Sequence, residues 1–171
     1  MGFNILGVAI DNKFPDKEKL CQDLQIGNVV LVNENSLFEN ASSSYAMDDD
    51  AVFITETEKG TLVTFGTSID FTTLKIKGLS ENGSALLFVV GDTIGMYILF
   101  LAEKGKIVRL INYDGAKKIS DKGNPMPIEE ELKDISELIF HLIGKTIGTS
   151  FWDLEPDSLS LKFKKKSVLP G

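Results

Sequence analysis

Cysteine, histidine, arginine and tryptophan occur once each in the chain. The lone Cys21 excludes an intramolecular disulfide and a zinc site built on thiolates. The chain needs no oxidising compartment, and a cytoplasmic location is expected. The lone His141 excludes a metal centre built on two or three imidazoles. Arg109 is the one guanidinium among 18 basic residues. Arginine is the preferred fork for phosphates and base edges, so nucleic-acid binding is not expected. Gly91 and Gly95 do not form a GxGxxG, no P-loop lysine follows them, and no serine sits in a GxSxG elbow. These absences leave no cofactor and no metal to assign.

No membrane span is expected either. The most apolar stretch, Ala85–Ala102, is 18 residues long, at the lower limit for crossing a bilayer. Gly91-Asp92-Thr93-Ile94-Gly95 interrupts its middle with turn chemistry and a carboxylate. Two buried strands and a turn are predicted there. Met1-Gly2-Phe3-Asn4-Ile5 has no basic region before an apolar core, so no signal peptide is expected.

What is present is ordinary globular composition, 43% hydrophobic and 25% charged, which indicates neither disorder nor a fibre. The length, 171 residues, suits one domain spanning 1–171 with a core of its own. The net charge of −7 is unevenly spread. Residues 129–157 hold eight acids and two bases, whereas 61–128 hold six acids and eight bases. Such fields steer partners and set solubility; they do not choose a fold.

The periodicities predict α+β architecture. Phe3–Ile10 reads as a buried strand. A short helix follows, with Pro15 at its first position, Asp16 and Glu18 at the positive end of its dipole, Leu20, Cys21 and Leu24 on its apolar side, and Gly27 as its stop. Asn28–Asn33 reads as a second strand, for which a parallel crossover is one possibility. Residues 34–50 read as a long polar loop. Ala51–Thr57 and Thr61–Phe65 flank Glu58-Lys59-Gly60 as a hairpin. Residues 69–77 are ambiguous. Leu86–Val90, Met96–Glu103, Ile107–Tyr113 and Ala116–Ile119, joined by Lys104-Gly105 and Asp114-Gly115, form an antiparallel meander across 84–120. Met96–Leu101 is apolar at every position and is expected in the centre of the sheet. Ile128, Leu132, Ile135, Leu138, Ile139, Leu142 and Ile143 recur at helical spacing, which predicts a long C-terminal helix over 128–147 packed on one face. Ser158–Lys164 alternates as an edge strand protected by lysines.

Chemistry-bearing candidates are few. Cys21 with His141 has the residue types of a nucleophile and base, but Cys21 lies on an apolar helix face and His141 off the apolar stripe of its own helix. No catalytic residue is therefore assigned. Asp48-Asp49-Asp50 has the oxygen ligands of a hard cation site but not the spacing of an EF-hand, so a solvated acidic loop is expected. Glu129-Glu130-Glu131 opens the long helix, where the dipole favours carboxylates. Trp152, in Ser150-Phe151-Trp152-Asp153-Leu154, has the character of either an interface anchor or a packing residue.

Met96–Ile128 resembles part of an uncharacterised bacterial protein family. The matching features are an apolar strand, a hairpin crossed by Lys104-Gly105-Lys106-Ile107-Val108-Arg109, then Tyr113-Asp114-Gly115, then Gly123-Asn124-Pro125-Met126-Pro127, with Glu129 completing a G-x-P-x-P-x-E pattern. The resemblance implies a bacterial origin and an α+β fold, and it brings no activity. In size, charge and lack of catalytic motif the chain also resembles immunity proteins of toxin systems, at the level of class alone. The expectation is a non-enzymatic, immunity-like protein that masks a basic partner surface through Asp48, Asp49, Asp50, Glu129, Glu130, Glu131 and Trp152. The alternative is a small enzyme or ligand-binding protein whose site is assembled from scattered carboxylates and hydroxyls.

Overall fold

Strand-forming residues dominate the chain, and its turns have the backbone signs that hairpins need. The computed structural model describes residues 3–44 and 47–166. Among them nine strands form one sheet: β1 Asn4–Ile10, β2 Val29–Leu37, β3 Ala51–Glu56, β4 Thr61–Phe65, β5 Ser84–Gly91, β6 Met96–Glu103, β7 Lys106–Asp114, β8 Lys117–Gly123 and β9 Leu159–Lys165. The order is β2-β9-β3-β4-β1-β5-β6-β7-β8, and every neighbouring pair is antiparallel. Three helices accompany it: α1 Lys17–Asp23, α2 Phe38–Ala41 and α3 Ile135–Ile147. The class is α+β, with a mostly antiparallel sheet.

The meander over β5 to β8 is as the turn chemistry predicts. Lys104 and Gly105 both have positive φ, 50° and 80°, the combination a two-residue hairpin turn requires. The next turn is Gly115-Ala116, at φ 57° and 64°, one residue later than the Asp-Gly pair suggests.

Alternation along the strands divides the core into two halves. On one face Ile5, Ala9, Phe53, Leu62, Leu86, Phe88 and Leu99 are buried beneath α3. Leu138, Ile139, Leu142 and Ile143 of the predicted stripe are all buried there, and Ile128, Leu132 and Ile135 pack against them half-exposed. Phe140 and Ile147 are buried as well. On the other face Val8, Ile10, Val52, Ile54, Val63 and Phe65 meet Leu20 and Cys21 of α1 and Leu24 at its C-terminal cap. Each fully buried Leu or Ile contributes roughly 1.5–3 kcal/mol relative to exposure. Gly7 has a positional reason: a Cβ there would overlap the Val63 carbonyl and the Phe88 ring.

Several expectations are corrected. The C-terminal helix is shorter than 128–147. It runs over 13 residues, Ile135–Ile147, after a separate 3-10 turn at Pro127–Glu130. Asp134 starts it by accepting from the N–H groups of Ser136 and Glu137 at 2.8 and 3.2 Å, and Gly148 ends it at φ 79°. Asp134 interrupts the stripe because its short carboxylate bonds the backbone better as a cap than inside a helix. Asp16 is likewise the cap of α1, accepting from Lys19 N–H at 3.0 Å, so Pro15 precedes the helix. No parallel crossover joins β1 to β2; β2 lies at the sheet margin against β9. Residues 34–50 are not all loop, since β2 runs on to Leu37 and α2 follows. Residues 71–73 and 78–80 are short 3-10 turns. β6 lies seventh in the order; the middle belongs to β3, β4, β1 and β5. β9 is an inner strand. The edges are β8, rich in lysine, and β2, where Val30, Leu31 and Val32 are exposed.

Candidate functional site

Arg109 is the most elaborately held side chain, and the expected partner-binding residue Glu129 belongs to it. Arg109 sits on β7 facing the α3 side and is 2% exposed. Its Nε donates to Glu129 Oε2 at 2.9 Å and its Nη2 to Glu129 Oε1 at 2.7 Å. Nη1 donates to Asp121 and to the Lys122 carbonyl. A buried guanidinium requires partners of this number and geometry. They raise its pKa further, with the Glu129 bond the largest cause. The same bonds hold the Asp121 carboxyl at about 2, with Lys118 contributing second. Glu129 is also lowered, chiefly by Arg109. Glu129 Oε2 accepts from Met126 N–H at 2.6 Å, so one carboxylate pins the turn before α3 to the sheet. Both carboxylate oxygens of Glu129 are thus engaged within the fold.

The other expected residues separate into three places. Asp48 is exposed, but its Oδ2 lies 3.4 Å from Lys162 Nζ and 3.5 Å from Lys164 Nζ. The Lys162 hydrogen bond is the first cause of its lowered pKa. Asp49 accepts from Thr67 Oγ1 at 3.0 Å through its side chain and from Ser68 Oγ at 2.6 Å through its carbonyl. Asp50 carbonyl accepts from Lys165 N–H at 3.1 Å. The loop is thus folded onto β9 and residues 67–68, and its charge is partly met by the chain's own lysines. Glu130 and Glu131 are exposed beyond the Arg109 cluster, Glu130 being 3.7 Å from Lys133. β9 and β7 are six strands apart in the sheet, roughly 29 Å at about 4.8 Å per strand. The acidic loop and the glutamate run are therefore not one surface.

Trp152 stands apart from both. It is 62% exposed, yet its ring lies 5.6 Å from Phe3, 4.6 Å from Phe140 and 5.1 Å from Phe151. Phe151 is buried and continues the cluster to Phe38 at 5.5 Å. Three rings behind it hold the indole in place while one side stays open to solvent. Around it a cleft of about 350 Å³ is lined by Asp92, Ser136, Glu137 and His141. Asp92 is oriented, accepting from Phe3 N–H at 2.9 Å and from the Tyr97 hydroxyl at 2.6 Å. Burial, then this bond, pushes the Tyr97 hydroxyl up to about 12. Glu137, Asp153, Glu155 and Asp157 are exposed nearby in sequence. Phe140 and Asp92 are the members that sequence reasoning missed. Phe140 was legible as a second apolar position on α3, whereas Asp92 read as a turn residue.

Glu137, His141 and Lys145 form the exposed ridge of α3 at successive i,i+4 positions. Beyond the ridge a larger cleft of about 760 Å³ opens between α3 and the ends of β6 and β7. It mixes Lys59, His141 and Lys145 with Asp11, Glu103 and Glu131. The Thr146 hydroxyl in it already donates to the Leu142 carbonyl at 2.7 Å, and the Arg109 guanidinium is taken up by Glu129 and Asp121. Cys21 and His141 lie on opposite faces of the sheet, Cys21 on the buried side of α1 and His141 on the exposed side of α3. Burial, with a smaller push from Glu18, raises the Cys21 thiol to about 12. Such a thiol is a poor nucleophile.

Among the described residues no group of three or more His, Cys, Asp or Glu is placed to hold a metal ion. No helix among them is long and apolar enough to cross a membrane. Comparison with protein-family models, curated proteins and solved structures finds no match.

Proposed function

We propose that the chain is a non-enzymatic binding protein that docks a basic protein partner on the Trp152 face, in the manner of an immunity protein masking a basic surface. The observation that carries this reading is the exposed indole, backed by Phe3, Phe140 and Phe151 and bordered by Asp92 and Glu137. Interface anchors are typically rigid aromatic side chains within a polar rim. Carboxylates at that rim select a cationic surface and speed its approach. Glu137, Asp153, Glu155 and Asp157 are exposed in the same part of the chain, so the local field has the sign the reading needs. The 48–50 loop is the weaker part of the original expectation, because Asp48 is already paired with Lys162 and Lys164.

The test starts from capture on immobilised protein in extract of the native host, followed by kinetics with the purified partner. Trp152→Ala should mainly speed dissociation. Glu137→Lys should slow association and flatten its salt dependence. Neutralising Asp48, Asp49 and Asp50 together should change neither by much. An acidic partner, or one whose binding ignores Trp152→Ala, would overturn the reading.

A further inference from the structure

The sheet face opposite α3 carries a second opening of different chemistry. A cleft of about 660 Å³ lies between strands β1, β5 and β6 and the segment 67–71. Leu6, Val89 and Met96 form its floor, Ile69 and Phe71 its wall, and Ile94 its lip. Alternation puts Leu6 and Val89 directly opposite each other on neighbouring strands. Ile94 is 65% exposed at the tip of the β5–β6 turn, where a polar residue would satisfy the turn equally well. No lysine, arginine or histidine lines the cleft, and its one carboxylate, Asp70, accepts from Thr72 N–H and Oγ1 at 3.0 and 2.5 Å. The Ser44 hydroxyl on the rim is buried without a hydrogen-bond partner among the described residues.

We infer that this cleft binds a small, uncharged, apolar molecule carrying one hydrogen-bonding group. Its volume falls within the range of small-molecule sites, which combine apolar walls with a few polar groups. With no cation to meet it, and Asp70 at the margin, an anionic head group is disfavoured. A neutral hydroxyl or carbonyl is suited to the unpartnered Ser44 hydroxyl, because an unmet buried polar group is costly. The aliphatic remainder would cover Leu6, Val89, Met96 and Ile94 and remove that surface from water. The cleft is on the opposite face from Trp152, so this inference stands whether or not the docking reading holds.

The experiment is fluorescence titration of the full chain with the neutral fluorophore phenylnaphthylamine, followed by displacement. Saturable binding is expected, with decanol displacing the probe and decanoate doing so far less well. Ile94→Asp, at an exposed turn position, should weaken probe and decanol by roughly tenfold or more, the scale of losing an apolar contact to a ligand. Ser44→Ala should weaken decanol but leave the probe unchanged. Absence of saturable binding overturns the inference, as does binding indifferent to Ile94→Asp. Equal displacement by decanoate overturns the neutral class. Self-association that the probe abolishes would assign the cleft to a second copy of the chain instead.

Discussion

Glu129→Ala tests how the C-terminal third is attached to the sheet. The substitution removes two charge-assisted hydrogen bonds, at 2.9 and 2.7 Å, from a guanidinium that is 2% exposed. Removing one partner of a buried ion pair typically costs about 3–5 kcal/mol, because the remaining charge stays desolvated. Arg109 keeps Asp121, which is 38% exposed and screened, and the Lys122 carbonyl at 2.9 Å. That places the pair loss near the lower bound, about 3 kcal/mol. The bond from Met126 N–H to the same carboxylate is lost as well, and a cap of this kind is worth about 1 kcal/mol. The sum is about 4 kcal/mol, or a fall in Tm of roughly 8–16 °C for a chain of this size. Urea unfolding followed by far-UV circular dichroism measures it, with the m-value checked for constancy. Arg109→Met combined with Glu129→Met removes both charges together and should cost less than Glu129→Ala alone. A loss under about 1 kcal/mol in the single variant would match an exposed surface pair and refute the buried-clamp argument. A double variant as unstable as the sum of its parts would refute it equally.

Three further outcomes follow from the same structure. Leu138→Ala, at a position 3% exposed beneath α3, should cost about 2–5 kcal/mol by denaturant unfolding; a change near zero would mean the helix does not rest on the sheet. The carboxyls of Asp121 and Glu129 both lie below their usual values, Asp121 at about 2. Their stabilisation is therefore fully present above the unfolded carboxylate range near pH 4 and is lost as pH falls toward 2. The unfolding free energy of the wild type should accordingly drop more steeply from pH 4 to pH 2 than that of Arg109→Met, and parallel curves would show that Arg109 does not hold these groups. Cys21, buried with its thiol pushed up to about 12, should react with a disulfide reagent at pH 8 only as fast as the fold opens; a rate like that of a free thiol would place it at the surface.

The strands, their turns and the apolar stripe of α3 were legible in the sequence because each rests on local spacing. Alternation places Leu86, Phe88 and Val90 on one side without knowledge of any neighbour, and Lys104-Gly105 suits a hairpin whatever surrounds it. The burial of Cys21 and the exposure of His141 follow from helical periodicity in the same way. Strand order was not legible. Residue alternation in Leu159–Lys165 is the same for an edge strand and for one inserted between β2 and β3, and only the distant pairings of Phe163 with Leu31 and Val52 decide between them. The split of 128–147 into a turn and a helix combines a local cap, Asp134, with a distant partner, Arg109, which lies twenty residues before Glu129 and holds its carboxylate. The Trp152 patch likewise draws Phe3 from one end of the chain to rings near the other. Spacing along the chain encodes which side a residue faces; which residues meet across the sheet is set by packing and charge pairing between segments far apart in sequence, and that only the tertiary structure decides.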